Sequence, residues 1–182
     1  MRLDSTGWIE PARRVVSPHC DARPEGSEIE LVVIHGISLP PGRFGGPWID
    51  DLFLGRLDPA ADPFFAEIAG LRLSSHLLIR RDGELVQYVP LQQRAWHAGR
   101  SCWRGRERCN DFSIGIELEG TDTTPYSEPQ YGVLVPLLDL LHRHCPRLAG
   151  VVGHSDIAPG RKSDPGPAFD WERLSAYTRR HE

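Results

Sequence analysis

One short connection carries a histidine, a lysine and an aspartate: His154-Ser155-Asp156-Ile157-Ala158-Pro159-Gly160-Arg161-Lys162-Ser163-Asp164-Pro165-Gly166. It follows the apolar run Val151-Val152-Gly153, which sets His154 at the end of a strand. Imidazole and carboxylate are ligands that zinc accepts, and a catalytic zinc takes three protein ligands with a fourth position open. The third ligand has to come from elsewhere in the chain. His35 qualifies, because it ends the apolar run Ile29-Glu30-Leu31-Val32-Val33-Ile34, which reads as a buried central strand. If the two strands are neighbours, both imidazoles reach one sheet edge and Asp164 closes a His/His/Asp triangle. That is the arrangement of a hydrolytic zinc site.

Such a site also needs a proton acceptor. Phe112-Ser113-Ile114-Gly115-Ile116-Glu117-Leu118 alternates with period two, placing Phe112, Ile114, Ile116 and Leu118 on one face. The other face carries Ser113, Gly115 and Glu117, so it leaves room and aims a carboxylate into that room. Glu117 is the candidate base. Lys162, two residues before Asp164, is the candidate stabiliser of a developing oxyanion. Arg72 and Arg108 can each grip a carboxylate through the planar guanidinium fork, although most single arginines are simply solvated. Trp96-His97-Ala98-Gly99 fits either an aromatic substrate wall with a polar tip or a buried tryptophan beside a turn. His19, His142, His144 and His181 read as solvated surface.

The elements that must hold these groups are those of an α/β single domain, a central mixed β-sheet flanked by helices. Residues 1–27 are polar and rich in turn formers, a wrapping arm ahead of a catalytic unit over 28–182. A long irregular stretch from Ser38 to Trp48 suggests a functional wall. Asp62-Pro63 opens a helix to about Gly70, and Asp82-Gly83 turns a hairpin between 75–80 and 85–89. Ser127-Glu128-Pro129-Gln130 reads as a capping box for a helix through about His144, with Pro136 expected to kink it or shift its start. A terminal helix spans about 169–180. The net charge of −4 gives no electrostatic reason to expect nucleic acid, and no stretch is apolar for long enough to cross a membrane. Without a visible leader, Cys20, Cys102, Cys109 and Cys145 read as free thiols in a reducing cytoplasm.

Several motifs then occur in a familiar order: Ile34-His35, Ser38-Leu39-Pro40-Pro41-Gly42, Ser75-His76-Leu77-Leu78-Ile79, Arg94-Ala95-Trp96-His97-Ala98-Gly99, the long run from Gly105 to Asp122, and Gly153 through Gly166. From about residue 2 to about residue 180 the chain resembles the cytoplasmic N-acetylmuramoyl-L-alanine amidases. These belong to a zinc amidase group that shares its fold with peptidoglycan recognition proteins and phage T7 lysozyme. The resemblance implies a zinc hydrolase that cuts the amide between the lactyl group of 1,6-anhydro-N-acetylmuramic acid and the L-alanine of a small muropeptide. It implies a role in peptidoglycan recycling that indirectly restrains β-lactamase induction, and a monomer. Position by position it implies zinc ligands His35, His154 and Asp164, with Glu117 as proton acceptor and Lys162 as transition-state stabiliser. Arg72 and Arg108 match arginines that contact the peptide's diaminopimelate end, and Trp96 and His97 are carried as substrate-binding.

Two positions depart from the family. It usually has Asn where this chain has Gly36, which removes an amide from the rim and leaves a bond missing or replaced by water. Ser155 stands where relatives carry Cys. The rival expectations are a non-catalytic peptidoglycan-binding module, a secreted wall amidase and a zinc protease. All five catalytic positions are present, which argues against the first, and no His-Glu-x-x-His pattern exists for the last.

Overall fold

The computed structural model describes residues 1–178. The arm contributes four short strands, β1 (Arg2–Leu3), β2 (Ile9–Glu10), β3 (Arg13–Arg14) and β4 (Cys20–Ala22). It does more than wrap, because β3 is an edge of the central sheet. Next come β5 (Leu31–Ile37), α1 (Trp48–Phe53), α2 (Phe65–Ile68), β6 (Leu77–Ile79), β7 (Leu85–Gln87) and β8 (Gln93–Ala95). A small ribbon of β9 (Cys102–Trp103) and β10 (Arg106–Glu107) precedes β11 (Ser113–Glu119) and the long α3 (Glu128–His144). The chain ends through β12 (Gly150–Gly153), α4 (His154–Ile157) and α5 (Ser175–Thr178).

The six-stranded sheet runs β12-β5-β11-β6-β7-β3, parallel except for the β6–β7 hairpin. The mixed sheet and the Asp82-Gly83 hairpin are therefore as expected, with Gly83 at φ +90°. Strands β12, β5 and β11 are buried and β-branched-rich because helices or loops cover both faces of parallel sheets. On one face Ile34, Ile114, Ile116 and Leu118 pack against Leu134, Leu137, Leu138 and Leu141 of α3. Each of these leucines is fully buried, contributing about 1.5–3 kcal/mol. On the other face Leu78, Val86 and Tyr88 pack against α1 and α2 through Ile49, Phe53 and Phe65.

Several boundaries differ from the sequence expectation. Strand β5 passes through His35 to Ile37, since its parallel pairing with β11 continues to Ile37 opposite Glu119. Phe112 does not share the face of Ile114. It precedes β11 at φ −132°, ψ 15°, which breaks the alternation and turns its ring towards Leu31 and Val33. The helix after Asp62-Pro63 is only Phe65–Ile68, with Asp62 Oδ1 accepting the Phe64 N–H. Helix α3 starts as expected and runs unbroken through Pro136. Gln130 Oε1 accepts the Ser127 N–H, and the Ser127 hydroxyl donates to Arg81 O, tying the start of α3 to the β6–β7 hairpin. The terminal segment is a 3-10 turn, Trp171–Leu174, followed by α5. The end of the expected helix and His181 lie outside the described residues.

Candidate active site

Three strands bring the site together at their C-terminal ends. Gly153 of β12 pairs with Ile34 of β5, so His154 comes level with His35. Glu117 of β11 pairs directly with His35 on the other side. His35 Nδ1 and His154 Nδ1 lie 3.0 Å apart. Asp164 Oδ2 lies 3.2 Å from the first and 3.1 Å from the second. Both imidazoles are 3 % exposed or less.

This donor set fits a tetrahedral cation. The His154 Nε2 faces the Ala98 carbonyl at 3.1 Å. A carbonyl only accepts, so Nε2 carries the proton and Nδ1 presents a lone pair. Zinc bonds of about 2.0–2.1 Å place tetrahedral ligand atoms about 3.3 Å apart, close to the observed triangle. The backbone reinforces it, because Ser155 N donates to Asp164 O at 3.0 Å. Arg161 Nη2 donates to the carbonyls of Ala98 and Arg100, fixing the loop that orients His154.

Electrostatics separate the roles. Burial lowers His35 to about 4, against the opposing pull of Asp164, so its ring is neutral at neutral pH. Burial acts to raise Asp164, but the two imidazoles against it, His154 and then His35, outweigh that and hold the carboxyl below its usual range. Glu117 moves the other way: burial and then Asp164 raise it well above 4.5, while Lys162 opposes them. Two neighbouring carboxyls are thus pushed in opposite directions, one towards the ionised form and one towards the protonated form, a pattern that suits acid–base chemistry.

Glu117 and Lys162 line the same cavity of about 190 Å³ as the three candidate ligands, with Trp96 and His97 on its wall. The cavity shares Gly36, Ile37 and Lys162 with a groove of about 490 Å³ whose far side is Leu39, Phe64 and Leu71. Ser38, Leu39, Pro41 and Gly42 of the irregular Ser38–Trp48 stretch line this groove. A larger cavity, about 540 Å³, holds none of these residues and lies among Arg23, Ser27, His144 and Arg147.

The other candidates are placed differently. His97 Nδ1 lies 2.9 Å from His35 Nε2, and His97 Nε2 lies 3.0 Å from Ser113 Oγ. Both ring nitrogens are therefore engaged inside the protein, behind a ligand. The small face of β11 exists for this ring, since a Cβ at Gly115 would lie 2.5 Å from His97 Cγ. Trp96 is held by a bond from Nε1 to Asp21 Oδ1 and stacks on His19. His19 is buried by that contact and is not solvated surface. Arg108 is exposed and pairs with Asp111, while Arg72 is exposed and lines neither cavity. Arg161 and Ser113, which support ligands, gave no signal beyond being common polar residues. The Gly36 departure has a physical explanation that sequence alone missed: a Cβ there would lie 2.4 Å from the Tyr126 hydroxyl. The space is filled by a tyrosine, not by water.

The profile of the N-acetylmuramoyl-L-alanine amidase family matches residues 25–167. The chain belongs to this family. The amidase AmpD of Enterobacter cloacae, a 1,6-anhydro-N-acetylmuramyl-L-alanine amidase, is 65% identical over 175 residues, covering 96% of this chain and 94% of that one. A crystal structure of a selenomethionine AmpD derivative superposes with a TM-score of 0.94 at 60% identity, over 98% of this chain and 99% of that one. The Escherichia coli amidase AmiD, in complex with anhydro-N-acetylmuramic acid-L-Ala-D-γ-Glu-L-Lys, gives a TM-score of 0.58 at 32% identity, over 97% and 62%. In fold alone the amidase also resembles Drosophila peptidoglycan recognition protein SA, with a TM-score of 0.56 at 17% identity over 86% and 81%. Among the described residues no helix is long and apolar enough to cross a membrane. Cys20, Cys102, Cys109 and Cys145 are unpaired.

Proposed function

We propose that this amidase uses zinc, held by His35, His154 and Asp164, to cleave the amide between the lactyl group of 1,6-anhydro-N-acetylmuramic acid and L-alanine, in cell-wall recycling. The observation that carries the reading is the convergence of two imidazole nitrogens and one carboxylate oxygen within 3.2 Å, level with a buried glutamate. The substrate class is supported by the likeness to AmpD at 65% identity and by the ligand in the AmiD complex.

Bound there, zinc supplies Lewis acidity, polarising an amide carbonyl and making water acidic enough to lose a proton near pH 7. Glu117 accepts that proton as the nucleophile attacks, and returns it to the departing L-alanine nitrogen, whose amine is then a competent leaving group. Its raised affinity for protons suits a group that must both take and give one. The Lys162 ammonium faces the oxygen that gains charge in the tetrahedral intermediate.

Replacing Lys162 by Ala removes charge stabilisation without touching a ligand. The expected result is a turnover number lower by about 10²–10³-fold with zinc still bound, read by steady-state kinetics and metal analysis. An unchanged turnover number removes Lys162 from the mechanism. The reading as a whole is tested by mass spectrometry of the purified protein with anhydromuramyl tripeptide, with and without a chelator. Free tripeptide released only in the metal-bound sample supports it. Bound but uncut substrate identifies a non-catalytic binding module instead.

A further inference from the structure

The loop between β11 and α3 carries Tyr126, whose side chain reaches back under the site. Its hydroxyl donates to the carbonyl of Pro165, the residue after the candidate ligand Asp164, at 2.9 Å. The tyrosine is 7 % exposed, and its ring packs edge-on against Phe169. Two glycines make the slot it occupies. A Cβ at Gly120 would lie 2.2 Å from Tyr126 Cε1, and one at Gly36 would lie 2.4 Å from the hydroxyl oxygen.

Gly36 is not required by backbone conformation, since it sits in β5 and is not among the residues at positive φ. Nor is the space otherwise crowded. The next atoms to such a Cβ are Pro165 Cα at 3.6 Å and Pro165 O at 3.7 Å, which is ordinary contact. A side chain at the position beside His35 would therefore have to displace one oxygen atom, the Tyr126 hydroxyl. A ring that served only as packing could be Phe, which would leave Gly36 without a reason.

We propose that Tyr126 is a positioning residue for the metal-binding carboxylate, and that Gly36 is the vacancy that admits its hydroxyl. The proposal rests on the zinc reading above. Proline has no N–H, so Pro165 can be held by backbone hydrogen bonding only through its carbonyl. Asp164 O is taken by Ser155 N, next to His154, and Pro165 O by Tyr126, against the strand of His35. These two bonds tie the third ligand to the elements that carry the other two. Burial, and then the charges of Asp164 and Glu117, push the phenol up, so it remains a donor at every working pH.

Partners that orient a ligand are worth about 10–100-fold in metal affinity. Zinc dissociation constants, from competition with a chromophoric chelator, therefore decide the matter alongside the melting temperature of the zinc-free protein. Tyr126→Phe is expected to weaken zinc binding by about 10–100-fold, with KM unchanged and the zinc-free melting temperature moved by only a few degrees or less. Gly36→Ala pushes the hydroxyl off Pro165 and is expected to weaken zinc similarly. The double variant is expected to be no worse than Tyr126→Phe, because the obstructing oxygen is gone. Zinc affinity within twofold of the parent in Tyr126→Phe overturns the proposal, as does a full additional penalty from Gly36→Ala in the Phe background. A parent protein that binds no zinc overturns the metal reading itself, a result distinct from either.

Discussion

Asp164→Ala loses stoichiometric zinc and amidase turnover together. The carboxylate is the one anionic donor of the triangle, and its oxygen lies within 3.2 Å of both imidazole nitrogens. Without it, two imidazoles face each other at 3.0 Å with no anionic donor to balance a dication. Because the neighbouring imidazoles hold the Asp164 carboxyl below its usual range, the parent carboxylate is ionised throughout the working pH range and needs no deprotonation before binding. The loss is expected to exceed the 10–100-fold that removal of an orienting partner costs. Metal analysis after dialysis and steady-state kinetics on the same sample read both. Zinc retained at one equivalent in the variant would sink the ligand assignment.

Glu117→Gln is expected to do the opposite with the metal while still removing most of the activity. The amide has the shape of the carboxyl, so burial and packing on β11 are preserved and zinc stays. The proton acceptor is gone, which lowers the turnover number by about 10²–10⁴-fold with little change in KM. The pH profile gives the sign. A base works when deprotonated, so parent activity rises with pH through the Glu117 ionisation, and that limb disappears in Glu117→Gln. Lys162 acts to lower the Glu117 pKa, so in Lys162→Ala the residual activity has its acid limb displaced to higher pH. A limb that persists in Glu117→Gln assigns the base to another group.

Much of the candidate constellation was legible because it depends on strand ends and on period two. His35 and His154 each close an apolar run, and neighbouring parallel strands then bring them level; Glu117 follows from alternation along β11. Alternation failed at Phe112 for a local reason, since the residue still belongs to the turn before the strand. Contacts set by long loops were not legible at all. Nothing in Trp96-His97 tells that His97 turns to His35 and Ser113, and nothing in His19 tells that Trp96 covers it. The Gly36 departure was visible as a missing amide, yet its meaning lay ninety residues away in Tyr126, whose position depends on the loop after β11. Arg72 and Arg108 remain exposed, so any role in gripping a peptide carboxylate depends on the substrate reaching them.

The central claim is that a single zinc ion sits between His35, His154 and Asp164. Crystals of the zinc-loaded protein, with anomalous differences collected on both sides of the zinc absorption edge, test it directly. The account predicts one edge-dependent peak bonded to His35 Nδ1, His154 Nδ1 and an Asp164 carboxylate oxygen at about 2.0–2.2 Å. A zinc peak at any other set of side chains, with this triangle empty, would contradict it.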